Sequence, residues 1–78
     1  MIVTLYTKEG CELCEKAVET LRRLQTLIQF ETELVYIEDD EELYERYGER
    51  VPVVAVGGQQ IASAPIDEAT LRAKLASV

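Results

Sequence analysis

Histidine and tryptophan are absent from this 78-residue chain, and cysteine occurs only twice. Without imidazole there is no Ser-His-Asp or Cys-His nucleophile system, no histidine-ligated haem, and no zinc site built on histidine. Two thiolates also fall short of the four ligands that a structural zinc normally takes. A disulfide framework for a small secreted domain uses more cysteines at longer spacings than Cys11 and Cys14, which read C-x-x-C. No charged-then-apolar leader opens the chain, and no apolar run is long enough to span a bilayer. A cytoplasmic protein with reduced or cycling thiols is therefore expected. Positive charge is scarce as well: eight Lys and Arg face fifteen Asp and Glu, a formal net charge of -7. That balance repels phosphate backbones and anionic lipid, so neither nucleic acid nor a membrane is an expected partner.

What is present suits one small domain over 1–78, with 47% hydrophobic and 29% charged residues. A domain of this size buries only about 60% of its unfolded surface, so every apolar stripe must serve the core. Ile2-Val3-Thr4-Leu5-Tyr6 is β-branched and aromatic, a strand, and Thr7-Lys8-Glu9-Gly10 breaks it. From Cys11 the period becomes helical, with Cys14, Ala17, Val18, Leu21, Leu24 and Ile28 on one face. Glu12-Lys16 and Glu19-Arg23 are favourable pairs on the other, and the helix is expected to end near Ile28-Gln29. Leu34-Val35-Tyr36-Ile37 reads as a strand covered on both faces. Asp39 is the expected cap of a second helix, with Glu42 three residues on, Leu43 and Tyr47 one turn apart, and Gly48 as its stop.

Val53-Val54-Ala55-Val56, Gly57-Gly58 and Gln59-Gln60-Ile61 make a hairpin with a two-residue turn. Pro65 stops the returning strand, and Asp67 caps a last helix, with Ile66 and Leu71 placed as a hydrophobic staple and Leu75 a turn further. The fold class is α/β, in the order β-α-β-α-β-β-α, with a four-stranded mixed sheet flanked by helices.

Cys11 follows Gly10 where a strand-to-helix turn meets the first free amides of a helix, which stabilise an anion. Cys11 is therefore the expected thiolate and exposed nucleophile. Thiols so placed have pKa values lowered from about 8.5 to roughly 3.5–7.5. Cys14, three residues on, lies on the apolar face and is expected to be buried and to resolve the mixed disulfide by attacking the Cys11 sulfur. Two inert thiols are the plain alternative, made less favourable by a C-x-x-C that follows a strand and opens a helix. Lys8 can place an ammonium near the sulfur, and Glu12 opposes ionisation; Glu12 serves equally as a first-turn acid on the helix dipole. Pro52 after Arg50-Val51 opens a strand, and only about 5–6% of X-Pro bonds in folded proteins are cis, so the residues alone point to trans.

Gly10-Cys11-Glu12-Leu13-Cys14-Glu15, Tyr47-Gly48-Glu49-Arg50-Val51-Pro52-Val53-Val54 and Ile66-Asp67 with Leu71 and Leu75 resemble the glutaredoxin-like proteins of the thioredoxin superfamily, in their short single-domain branch. The resemblance covers essentially the whole chain. It implies the thioredoxin/glutaredoxin-like fold, nucleophilic Cys11, resolving Cys14, and a cis Val51-Pro52 bond beside the disulfide with Val51 offering backbone groups to an extended substrate. Lys8, Leu13, Arg50, Val51 and Pro52 are then the expected substrate contacts. The sequence departs from glutaredoxins in having Glu12-Leu13 between the cysteines, and Arg50 where they have threonine. Where they carry Gly-Gly and an acidic residue for glutathione, it has Ala62-Ser63-Ala64-Pro65.

The expected function is thiol–disulfide exchange through a Cys11–Cys14 dithiol on protein disulfides, with weakened glutathione binding and no metal. No resident cofactor is expected. Glutathione or a flavin disulfide reductase supplies the electrons, and the protein acts as a monomer. A non-catalytic thioredoxin-fold adaptor, and a metal- or iron–sulfur-binding glutaredoxin-like protein, are the alternatives.

Overall fold

A computed structural model describes Met1–Ser77. Strand β1 is Ile2–Thr7, helix α1 Glu12–Leu24 and strand β2 Glu31–Tyr36. A single 3-10 turn, Ile37–Asp39, leads into α2, Glu41–Tyr47. Strands β3, Val53–Val56, and β4, Gln59–Ser63, form the hairpin, and α3 closes the chain over Glu68–Ala76. The sheet order is β2-β1-β3-β4, with β1 parallel to β2 and antiparallel to β3, and β3 antiparallel to β4. The expected β-α-β-α-β-β-α order and four-stranded mixed sheet are both present. Gly57 and Gly58 have φ of 60° and 80°, the pair of positive values that a type I′ hairpin turn needs and that glycine adopts without steric cost.

Two apolar clusters lie on opposite faces of the sheet. Val3, Leu5 and Val54 pack with Ala17, Leu21 and Leu24 of α1 and Leu71 and Leu75 of α3. Val53 packs with Ile37, Tyr47, Val51 and Cys14, flanked by Tyr6, Leu43 and Cys11. The alternation along β1 and β3 follows from the two-residue period of a strand. The ring centroids of Tyr6 and Tyr47 are 4.6 Å apart and stacked, joining β1 to α2.

Several sequence expectations need correction. Strand β2 starts earlier than Leu34 and is not covered on both faces: it is an edge strand whose residues are exposed except for half-buried Val35. The doubly covered positions belong to β1 and β3, which have strand neighbours on each side. Ile37, expected at the end of β2, turns inward in the 3-10 turn and is fully buried. Asp40, not Asp39, caps α2, and its carboxylate accepts the Glu42 and Leu43 N–H groups at 2.9 and 3.2 Å. With the cap moved one place, Glu42 no longer stands at the reciprocal capping-box position.

Helix α1 stops at Leu24 rather than near Ile28, because the Thr26 hydroxyl donates to the Arg23 carbonyl at 2.6 Å and competes with the helical bond there. Ile28 still packs on the first cluster from the following turn. Arg23 pairs with Glu68 of α3 at 2.8 Å rather than with Glu19, so its charge ties two helices together. Among the described residues Glu12 and Lys16 form no ion pair; Arg46 and Glu42 do, at 3.6 Å.

Asp67 caps α3 as expected, accepting the Thr70 N–H at 3.1 Å, with Ile66 against the core and Leu71 buried. The Thr70 hydroxyl bond and this N–H bond hold the Asp67 carboxyl below its ordinary value of 3.8. A depressed folded-state pKa contributes stability that is complete above the unfolded pKa and lost as pH falls through the folded one. Asp67→Asn keeps a capping oxygen but removes the titration, so its stability curve is expected to be flatter than that of the parent below about pH 4. Thermal melts at stepped acid pH check this, and parallel curves for the two proteins would contradict it.

Candidate functional site

The site is built where β1 ends and α1 begins. Gly10, with φ +68°, turns the chain out of the sheet, and any side chain there would be strained. Cys11 follows in an extended conformation as the N-cap of α1, and its Sγ accepts the Cys14 N–H at 3.1 Å. The sulfur thus does what a serine or aspartate oxygen does at an ordinary helix start. Its carbonyl accepts the Glu15 N–H at 3.1 Å, so backbone and side chain of Cys11 both enter the helix's first turn.

Cys11 and Cys14 are joined as a disulfide with Cα atoms 5.2 Å apart. Cys14 is 2% exposed, as expected; Cys11 is half-buried, less open than its expected role as exposed nucleophile. Although Cys14 is on α1, it packs with the second cluster, on the α2 side of the sheet. That places the disulfide where the two cores meet.

The Val51-Pro52 bond is cis, as the resemblance to glutaredoxin-like proteins implied and against the reading of the residues alone. Ala64-Pro65 is cis too. Val51 packs in the cluster that holds Cys14 and Cys11, and Pro52 is buried beside it. Of the two backbone groups expected to face a substrate, the Val51 N–H already donates to the Tyr47 carbonyl, at 3.1 Å. Val53 pairs with Ser63, so Ala62, Ser63 and the Ala64-Pro65 bond run beside the proline loop.

The remaining predicted residues divide. Lys8 lines a cavity of about 210 Å³ with Cys11 and Cys14, while its ammonium approaches the Gly48 carbonyl at the end of α2, 3.4 Å away. It therefore braces α2 against the loop before Cys11 as well as adding positive charge. Leu13 is 49% exposed beside the disulfide, an open apolar surface, and Glu12 is exposed in the same turn. Arg50 is exposed and lines a separate depression with Gly48 and Glu49, not the cavity of the cysteines.

Sequence reasoning missed three contributors. The Glu38 carboxylate accepts the Glu9 N–H at 2.8 Å and so fixes the loop leading to Cys11. Leu34 and Tyr36 of β2 line the cavity. Tyr36 carries no local signal: its place beside the site follows from the parallel register, which sets it opposite Thr7 at the end of β1. Glu38 carries no local signal, since its partner is 29 residues away.

A profile of the Glutaredoxin-like domain (DUF836) matches residues 2–76. The chain belongs to this glutaredoxin-like family. Among solved structures, the glutaredoxin-like chain is similar to the target protein XcR50 of X. campestris, at 37% identity over 97% of each chain and a TM-score of 0.80. It is also similar to Ne2328 of Nitrosomonas europaea, at 36% identity over 94% of this chain and 88% of that one, with a TM-score of 0.81. A thioredoxin of Halobacterium salinarum, 18% identical over 97% of this chain and 72% of its own, has a TM-score of 0.72 and shows the shared thioredoxin fold. An uncharacterized protein of Mycobacterium tuberculosis is 29% identical over 95% of this chain and 81% of its own.

In this glutaredoxin-like site Glu12 stands one residue from the sulfur with no ion-pair partner among the described residues. An unpaired carboxylate beside a thiolate opposes its charge, so Glu12→Gln is expected to lower the Cys11 pKa of the reduced protein. Solvent keeps the change below about one unit, or about 1.4 kcal/mol. Thiolate absorbance followed against pH measures it; an unchanged or raised pKa would leave Glu12 as a helix-dipole charge alone.

Proposed function

We propose that this protein is a thiol–disulfide oxidoreductase that reduces protein disulfides through Cys11 and Cys14. The observation that carries the reading is the Cys14 N–H held on the Cys11 sulfur at 3.1 Å, at the positive end of α1. In the reduced protein the same donor stabilises negative charge on Cys11. The Cys11 thiolate attacks one sulfur of a substrate disulfide, forming a mixed disulfide and expelling the other sulfur as a thiolate, which takes a proton from water. Cys14 then attacks the Cys11 sulfur, its proton passing through water to the substrate's second sulfur as that sulfur leaves. The substrate gains two electrons and two protons, and the protein ends with the Cys11–Cys14 bridge. Glutathione or a flavin disulfide reductase returns the electrons, and a reducing cytoplasm suits such a cycle. The protein works as a monomer.

The two thiols differ enough to be separated by trapping. Cys14→Ser is expected to accumulate a mixed disulfide at Cys11, and Cys11→Ser to trap nothing, as read by mass spectrometry of non-reduced protein. Equal alkylation rates at the two reduced thiols near neutral pH would contradict the assignment, and two free thiols after mild oxidation would favour the adaptor reading.

Glutathione is a poor fit. The Ala62-Ser63-Ala64-Pro65 slot offers no carboxylate for the glutamyl amine, Pro65 has no backbone donor, and a chain of net charge -7 repels an anionic tripeptide. Lys8 and Arg50 supply some attraction for a carboxylate. Reduction of a glutathione mixed disulfide is therefore expected to be slower than reduction of a protein disulfide under the same reductant. The reverse ranking would restore an ordinary glutaredoxin role.

A further inference from the structure

The cavity beside the disulfide continues away from the cis-proline loop. Its apolar wall is Val18 of α1 with Leu34 and Tyr36 of β2. A second depression of about 180 Å³ shares Val18 and Leu34 and extends along α1 to Leu21. Together they make a groove between α1 and the edge strand, with the two cysteines at one end. Leu34 and Tyr36 are 43% and 41% exposed there. At about 210 and 180 Å³ the depressions are smaller than the roughly 300–1,000 Å³ of small-molecule sites, and each suits a side chain rather than a whole ligand.

The strand that borders the groove is also open. Strand β2 pairs only with β1, so its outer N–H and C=O groups meet no strand among the described residues. Proteins commonly guard such edges with charge. Here Glu31 and Glu33 guard the first half of β2, while Leu34-Val35-Tyr36, the half next to the disulfide, carries none. The groove is acidic at its disulfide end, where Glu9 and Glu15 line it, and Lys8 there is turned toward the Gly48 carbonyl. Arg22 lines the far end. A second copy of this chain, itself at net charge -7, is a repelled occupant.

We propose that the α1–β2 groove docks an extended segment of the substrate protein, which adds a strand to Leu34–Tyr36, seats apolar side chains against Val18, Leu34 and Tyr36, and places a basic side chain beside its cysteine against Glu9 and Glu15. The proposal rests on the oxidoreductase reading and names the substrate class for it. Main-chain pairing to the free edge supplies affinity, and the groove supplies selection.

The experiment uses three disulfides with dithiothreitol as reductant: a leucine-flanked peptide with arginine next to its half-cystine, the same peptide with glutamate for arginine, and bis(2-hydroxyethyl) disulfide. For the parent protein, kcat/KM on the arginine peptide is expected to exceed that on the glutamate peptide about tenfold at low salt, converging as salt rises. Tyr36→Ala with Leu34→Ala is expected to lower the ratio of arginine-peptide to small-disulfide kcat/KM about tenfold. A serine-for-cysteine arginine peptide, which undergoes no exchange, is expected to shift the amide resonances of Leu34, Val35 and Tyr36. Equal rates on the two peptides, shifts confined to the Val51–Ser63 side, or a β2-mediated dimer at assay concentration would overturn the groove and leave the redox reading standing. No turnover of any disulfide would sink the redox reading instead, and the serine peptide would still decide whether the groove docks a segment.

Discussion

The hydrogen bond from the Cys14 N–H to the Cys11 sulfur is the contact on which the arrangement turns. A helix start leaves its first amides without partners, and most helices satisfy one of them with a side-chain oxygen at the N-cap. Here the capping atom is the first sulfur of the C-x-x-C pair. On the proposed redox reading, folding of α1 and activation of the Cys11 thiolate are consequently one event. Any register shift of the helix would move the donor away from the sulfur, so the packing that fixes the register also fixes this contact. That packing comes from Ala17, Leu21 and Leu24 on the first cluster and from Cys14 on the second.

Two long-range contacts hold the loop before Cys11, and a third fixes the strand that leads into it. Glu38, beyond β2, takes the Glu9 N–H; Lys8 reaches across to the last carbonyl region of α2 at Gly48; and the Tyr6–Tyr47 stack sets α2 against β1. Each is modest alone, and the two polar ones are at least partly open to solvent. Acting on one short loop and the strand before it, they stop Gly10 and Cys11 from sampling the many conformations that a glycine permits. The half-buried Cys11 fits this picture: the sulfur is reachable, yet the chain carrying it is restrained on both sides.

The parts of this structure that were legible in the sequence are those written in local pattern. The helical stripe from Cys14 to Leu24, the Gly57-Gly58 turn, the Asp67 cap and the placing of C-x-x-C at a helix start all depend on residues a few positions apart. Where the reading failed, the deciding partner was distant. Leu34-Val35-Tyr36 looks like a buried strand because a short apolar run does not reveal how many neighbours the strand will have. As an edge strand it leaves Leu34 and Tyr36 open. Arg23 had Glu19 four residues before it and takes Glu68, 45 residues away, because α3 brings that carboxylate within 2.8 Å. The isomer of Val51-Pro52 was legible only through the resemblance. Local sequence favours trans at every such bond.

Charge then links the site to the proposed partner. A net charge of -7 on a small domain would be a poor setting for a thiolate if the acids crowded the sulfur. The fold spends several of them on caps and anchors: Asp40 on α2, Asp67 on α3, Glu38 on the loop and Glu68 on Arg23. Glu9 and Glu15 remain lining the cavity, on the side away from Val51 and Pro52. A cation on an approaching chain would answer those two carboxylates while leaving the α1 amides to stabilise the sulfur. On the proposed docking, the acids that oppose ionisation in the free protein would oppose it less strongly once a basic segment is bound, so substrate and nucleophile would be tuned together by one electrostatic balance.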